Sequence, residues 1–412
     1  MVLSNFEANL KKYVHLIAKI GVGVKPGHIV SINSQIDQAK LTRLLVKELY
    51  ALGAAEVLVN WKDDSVSRET YLHANEKRLT HIPESTVQKF QEFINEKVSR
   101  ISIDSSDPAA FEGVDNERIS KHLAASNAAS ADYSAAIQAN KMNWTVVAAA
   151  SYGWATKVFP HLSTKEEQLD ALWDQIFKTT RIYEEDPIKA WQDHDKKLCK
   201  QTKKLNDAQF DALHYTAPGT DLVIGLPKNH YWEGASSMNS KGEVFIANMP
   251  TEEVFTAPDT NRVDGYVSST KPLSYAGVVI SGMKFTFKNG KAIEFSAKQG
   301  EEVIQKLLAT DEGASHLGEV ALVPDLSPIS RSGLTFFNTL FDENASNHLA
   351  FGQAYATSIV GGEKLSQDEL KKRGLNRSTI HVDFMVGSEN MDIDGISSDG
   401  SRTPIFRNGD WT

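Results

Sequence analysis

The chain has 412 residues, 41% of them hydrophobic and 24% charged, the balance of a folded globular protein; at about 150 residues per domain, this length predicts roughly two to three domains. Forty-four Lys and Arg against 53 Asp and Glu leave a net charge of −9, which argues against the basic surface that phosphate-backbone binding needs, so no nucleic-acid partner is expected. No apolar run approaches the roughly 20 residues of a membrane-spanning helix, and a single cysteine, Cys199, excludes an intrachain disulfide; with no targeting pattern in Met1–Glu7, the chain reads as cytoplasmic, with no membrane partner.

In chain order, Ser4-Asn5-Phe6-Glu7 has the pattern of a capping box, and Leu10, Tyr13, Val14, Ile17 and Ile20 follow at helical spacing up to Gly21. His28 to Asn33 reads as a strand, Leu41 to Leu52 as a helix face ended by Gly53, and Glu56 to Trp61 as a second strand. Strand, helix and strand in so short a stretch predict a parallel βαβ unit. Arg100 to Ile103 and Trp144 to Ala150 extend the pattern around an Ala-rich helical region near 115 to 140. There is no GxGxxG and no Walker-type loop, so no nucleotide is expected here. Ser163 to Leu213 turns helical and charged, with Trp173, Ile176 and Phe177 on one stripe. Cys199 lies in the polar run 195–200 and reads as a surface thiol.

From Thr220 the texture becomes strand-like: 222–226, 244–247, then 283–287 and 292–295 joined through Asn289-Gly290, a tight-turn signal. A short helix, Glu301 to Leu308, precedes strands at 319–323 and 381–386 and a terminal hairpin around Asn408-Gly409. The expected fold class is α/β. An N-terminal α/β domain with parallel βαβ units and a helical connection covers 1–215, and a β-rich α+β domain covers 216–412.

Chemistry concentrates in the second half. In His381-Val382-Asp383 the imidazole and carboxylate share one face of a strand while Val382 and Phe384 take the other. Two metal-type ligands on an otherwise apolar strand are hard to explain as core, although a His–Asp hydrogen bond at a sheet edge uses the same residues. Glu319 opens a similar apolar run. Glu343 and His348 lie five apart, with Tyr355 seven later; a helix from His348 would put His348 and Tyr355 on one face, and a loop would give proximity only. Glu252 and Glu253 sit in a Pro-bracketed loop, 250–258. Together these carboxylates and imidazoles form an inventory for a pair of divalent ions such as zinc, cobalt or manganese.

The segments Pro250–Thr256, Gly318–Ala321, Phe341–Ala345, His348–Gly352 and His381–Met385 resemble, in their order, the metallo-aminopeptidases of the aminopeptidase T, aminopeptidase S and PepS family, and the likeness runs end to end. The resemblance implies a cytoplasmic, homodimeric exopeptidase whose partners are peptides with a free N-terminus. It implies two divalent ions (Zn, Co, Mn or Mg) on Glu253, Glu319, His348, His381 and Asp383, with Glu343 as ligand or general base and Tyr355 as ligand neighbour or stabiliser of the tetrahedral intermediate.

In that reading a metal-activated water attacks the peptide bond. Glu319 bridges the two ions, Tyr355 donates to the oxyanion, and Glu343 moves the proton. Glu252 and Asp342 are candidates for holding the substrate α-ammonium. Two other readings use the same residues. Glu319 and Glu343 are the acid and base of a glycosidase, or the chain is a non-catalytic, metal-stabilised peptide-binding protein, against which the lack of a cysteine-rich shell argues.

Overall fold

The alternating patterns of the first half build a parallel sheet, and those of the second half build two large antiparallel sheets and two two-stranded ones among the described residues. A computed structural model of the chain describes residues 3–275 and 278–412. It separates into two units. The first comprises Met1–His194 with Ser236–Pro250, and the second Asp195–Ala235 with Thr251–Thr412. The expected cut near 215 differs from this partition: the first unit ends inside the long helix Pro187–Ala208, and the chain returns to it for 236–250.

In the first unit, β1 (Ile29–Gln35), β2 (Glu56–Lys62), β3 (Ser99–Asp104) and β4 (Trp144–Ala148) form a parallel sheet in the order β4-β3-β1-β2, and the short strand Asn248–Met249 adds to β4. Crossover helices such as Ala39–Ala51 make the parallel arrangement possible. The inward residues Val30, Ile32, Ile101 and Val147 are fully buried. The strand order reverses between β1 and β3: from β1 the chain runs to β2 on one side, then returns to lay β3 and β4 on the other. The opening helix Phe6–Leu16 continues as a wider turn to Gly21, as its apolar spacing predicts. Its start differs from the capping box expected at Ser4. Asn5 is the N-cap, at φ 59° and with no side-chain cap, whereas a capping hydroxyl needs an extended backbone to reach the free N–H groups. The Ala-rich region divides into Asn116–Ala129 and Ala131–Gln138.

In the second unit an eight-stranded antiparallel sheet includes Ala212–Ala217, Thr220–Gly225, Val263–Ser268 and the hairpin of Lys284–Lys288 with Lys291–Ser296. Asn289 and Gly290 turn that hairpin with φ of 48° and 83°, as the dipeptide predicts. The five-stranded sheet of the same unit consists of β5 (Glu233–Gly234), β6 (Val254–Thr256), β7 (Leu317–Leu322), β8 (His348–Gly352) and β9 (His381–Met385), each antiparallel to the next in the order β9-β8-β7-β6-β5.

One face of this sheet is apolar. Val254, Val320, Leu322, Leu349, Phe351, Val382 and Phe384 join Leu222, Ile224, Phe285 and Phe287 of the eight-stranded sheet in a single core. Phe351 stacks on Phe384 at 5.1 Å, and Phe285 approaches both rings at 4.9 and 5.0 Å. Burying such side chains stabilises by roughly 1.5–3 kcal/mol apiece, so the register of these strands is set by this core. By the period of two, every intervening residue is committed to the opposite face.

Candidate metal centre

That opposite face carries the polar residues. Across β7, β8 and β9 the register pairs Ala321 with His348, His348 with Met385, Glu319 with Ala350, Ala350 with Asp383, and Gly352 with His381. Glu319, His348, Asp383 and His381 therefore project from neighbouring strands on one side, among the small residues Ala321, Ala350 and Gly352. Glu253 enters from just before β6, whose Phe255 pairs with Ala321.

His348 Nε2 lies 3.3 Å from Glu253 Oε2 and 3.4 Å from Glu319 Oε1. His381 Nε2 lies 3.6 Å from Glu319 Oε2 and 3.5 Å from Asp383 Oδ1. Among the described residues, two groups offer ligand atoms within 4.8 Å of one another: Glu253, Glu319 and His348, and Glu319, His381 and Asp383. Glu319 belongs to both and turns a different oxygen toward each imidazole.

The two rings are oriented alike. His348 Nδ1 is 3.1 Å from the Ser346 carbonyl and His381 Nδ1 is 2.8 Å from that of Gln353. A carbonyl can only accept, so each Nδ1 carries hydrogen and each Nε2 faces the carboxylates, the tautomer that a metal-ligating imidazole requires. Without a cation, protons compensate the carboxylates. Burial pulls the His348 pKa down, but hydrogen bonds to Glu253 and Glu319 outweigh it and hold the ring well above the usual range. His381, opposed by burial in the same way, is pushed up to about 10 by its bond to Asp383 and the charges of Asp383 and Glu319. Burial raises Glu319 even against the His348 hydrogen bond. Asp383 is lowered: burial acts upward, but the hydrogen bond and charge of His381 win. Carboxylate oxygens and imidazole nitrogens in this ratio are a donor set for zinc, cobalt or manganese, so the residues present fit divalent ions.

Glu343 ends the short helix Thr339–Glu343. Its carboxyl is driven well above the normal range by burial and by the charges of Glu253 and Asp383, while neither of the two ligand groups includes it. The Tyr355 ring lies 5.2 Å from that of His381 and 6.0 Å from that of Phe255. Burial, then Glu319 and Asp383, hold its phenol well above the ordinary value, so it stays protonated. The segment from His348 is a strand, which overturns the helical alternative: β7 and β9 pair on both sides of it, while Leu349 and Phe351 fill the core. Tyr355 reaches His381 from the connection beyond the strand's end, just before the turn Ala356–Ser358.

The two acids considered for the α-ammonium have structural ties. Asp342 accepts the backbone N–H groups of Phe336 at 2.7 Å and Asn338 at 3.1 Å, and burial pushes its pKa up to about 6 against them. Glu252 is buried, and its N–H donates to Asn344 Oδ1 at 2.8 Å. A further acid, Glu233 on β5, pairs with Phe255 on the side of the cluster. Its Oε1 is buried without a hydrogen-bond partner among the described residues. Its pKa is raised by burial and by the charge of Glu319, against a hydrogen bond from Thr357. A two-residue strand has no period, so Trp232-Glu233-Gly234 carries no signal that sequence reading would detect.

Two carboxylate–imidazole groups sharing a glutamate on one face of an antiparallel sheet could hold divalent metal, the arrangement expected of a metal-dependent hydrolase. The chain belongs to the thermophilic metalloprotease family M29, whose family model matches residues 6–411. It is 57% identical to the aminopeptidase PepS of Streptococcus thermophilus over 100% of both chains. With the aminopeptidase AmpS of Bacillus subtilis it shares 49% over 99% of this chain and 100% of that one. The solved structure of wild-type AmpT from Thermus thermophilus matches with a TM-score of 0.93 at 41% identity, covering 99% of this chain and 100% of that one. The α/β fold class holds. Membership of a metalloprotease family removes the glycosidase and non-catalytic readings.

Proposed function

We propose that this M29 enzyme is an aminopeptidase that cleaves the first peptide bond of substrates with a free N-terminus, and that it does so with two divalent ions. The observation that carries the two-ion reading is Glu319, whose oxygens face separate imidazoles. Glu253 and His348 would hold one ion, His381 and Asp383 the other, and Glu319 both. When bound, such ions acidify a water and polarise the scissile carbonyl.

The chain's own residues do the rest. Glu343, whose carboxyl feels the charges of Glu253 and Asp383, takes a proton from the attacking water at its carboxylate and returns it to the leaving amine. Tyr355, held protonated, donates its phenolic hydrogen to the oxyanion of the tetrahedral intermediate. The unpartnered Oε1 of Glu233 accepts the substrate α-ammonium, which distinguishes an exopeptidase site from one that accepts any internal bond. A blocked N-terminus leaves that buried oxygen without a partner, which costs affinity. The same reading assigns the catalytic work to the second unit and includes a cytoplasmic homodimer. The exposed lone Cys199 fits a reducing compartment.

The test is hydrolysis of unblocked and N-acetylated leucine anilides before and after chelation, with zinc, cobalt, manganese or magnesium added back and the bound metal counted. Turnover that needs a free amine and saturates at two ions per chain supports the reading. Full activity at one ion per chain overturns the bridging role of Glu319.

A further inference from the structure

The carboxyl ends of the parallel strands in the first unit open into a cavity of about 770 Å³. It lies where the strand order reverses: Gln35 is the last residue of β1, and Ser105 directly follows its neighbour β3. In open parallel sheets, this is where ligands bind. The volume falls in the range of small organic ligands and is far larger than a bare ion requires.

The chemistry of the wall selects the ligand's charge. Asp37, Asp63, Asp64, Asp107 and Glu112 face a single cation, Arg68, one of whose nitrogens donates to the Ala110 carbonyl. Helix N-termini beside such a cavity ordinarily attract phosphates. Here Asp63 accepts from the N–H groups of Ser65 and Val66, and Ser151 from that of Trp154. The carboxylates then repel any anion that approaches. Asp64 takes a hydrogen bond from the Gln35 amide at 2.7 Å, and Asp37, exposed as a residue but with a partly desolvated carboxyl, has its pKa raised by that desolvation and by the charge of Asp64; both line the cavity.

A second, independent observation lies in the same wall. Ser105 is only 2% exposed, and its hydroxyl has no hydrogen-bond partner among the described residues. A buried hydroxyl left unpaired costs about 1–3 kcal/mol, a cost that a hydrogen-bonding ligand in the cavity removes.

We propose that this cavity binds a small aliphatic amine, with a primary ammonium between the carboxylates of Asp37 and Asp64 and a hydrogen bond to the Ser105 hydroxyl. Two sources share that chemistry: a polyamine, favoured by the excess of carboxylates, and a free amino acid, whose carboxylate would meet Arg68. All of its lining belongs to the first unit, whereas the residues assigned to hydrolysis belong to the second.

The test is calorimetric titration of the metal-loaded full-length enzyme with spermidine and, separately, with leucine. Variants Asp37→Asn, Asp64→Asn and Ser105→Ala are compared with Glu92→Gln/Glu96→Gln, which neutralises exposed acids on the helix Glu84–Glu96. We expect saturable binding of at least one amine, weakened about tenfold by Asp37→Asn or Asp64→Asn, weakened measurably by Ser105→Ala, and unchanged in the control. Spermidine binding assigns a polyamine site and leucine binding an amino-acid site. Asp37 is exposed, so its variant remains informative if Asp64→Asn fails to fold. Absence of binding by both amines, binding that survives all three cavity variants, or equal weakening in the control overturns the proposal.

Discussion

Replacing Glu319 by Gln separates stability from metal affinity, because the two depend on this carboxylate with opposite sign. Without metal, the fold raises the Glu319 pKa, burial being the largest cause. Ionised Glu319 therefore costs the fold stability at neutral pH. A glutamine of the same shape removes that cost, so the metal-free variant is expected to melt no lower than the metal-free parent. With metal the order reverses. Two ions, each at a hundred times its dissociation constant, stabilise the parent by about 2.7 kcal/mol apiece, or about 10–20 °C at roughly 2–4 °C per kcal/mol. A neutral amide supplies no charge to either ion. If each is held about a hundredfold more weakly, the same metal concentration contributes only about 0.4 kcal/mol per site, and the rise shrinks to about 2–3 °C. Hydrolysis should fall by about a thousandfold or more, since partners that merely orient a metal ligand already cost 10–100-fold. Melting curves with and without zinc or cobalt, beside anilide hydrolysis, make the check. A variant that melts well below the parent without metal, yet gains as much on loading, would refute the assignment of Glu319 to both ions.

The other predictions concern protons and substrate. His381 has its pKa raised to about 10 and His348 is raised well above its usual value, so their contribution is present below about pH 6.5 and lost as pH rises through the folded values. The chelated enzyme should lose melting temperature between pH 6.5 and 10 while the loaded enzyme stays nearly level; parallel curves would contradict the idea that ions replace these protons. Tyr355→Phe should lower kcat by about 10²–10³-fold, the cost of one oxyanion donor, with metal content unchanged; loss of metal would make Tyr355 a ligand instead. Glu233→Gln should raise KM for unblocked substrates about tenfold, the scale of a lost charge-assisted hydrogen bond, and narrow the preference over N-acetylated ones. An unchanged ratio would remove Glu233 from the α-ammonium site.

What the sequence made legible was periodic. Val382 and Phe384 alternate with His381 and Asp383, so the division into a core face and a ligand face was readable from one strand, and Asn289-Gly290 marked its hairpin. What it hid was non-local. At His348 the sequence left helix and loop open and the strand unread, because the strand depends on pairing with β7 and β9 on both sides. Spacing raised Glu343 and Tyr355 only as chain neighbours of His348, and Glu253 only as a loop acid, so the family likeness had to join them to the strand residues. The return of 236–250 to the first unit rests partly on two residues, Asn248 and Met249, beside β4, too few to leave a pattern. The Ser4 capping box was a valid local pattern that the backbone at Asn5 overrode.

The placement of the centre follows from the same division of faces. Glu319 and Glu343 are carboxylates whose charge burial makes costly, so stability of the metal-free chain does not account for these two, whereas Asp383 is held ionised by His381. Their positions are held from the other side of the sheet, where Phe351 and Phe384 stack against each other and against Phe285 and leave each strand one register. His348 follows Ser346 by two residues and His381 lies across from Gly352, next to Gln353. The carbonyls that orient the two imidazoles therefore flank the same strand, β8, at its two ends. Ala321, Ala350 and Gly352 keep the middle of the face clear. Gly352 has φ 102°, and a Cβ there would meet the Ile380 carbonyl at 2.1 Å, so the backbone itself excludes a side chain beside His381. An apolar face that fixes register, small residues on the ligand face, and carboxylates that protons compensate in the metal-free chain together make a site that divalent ions would fit.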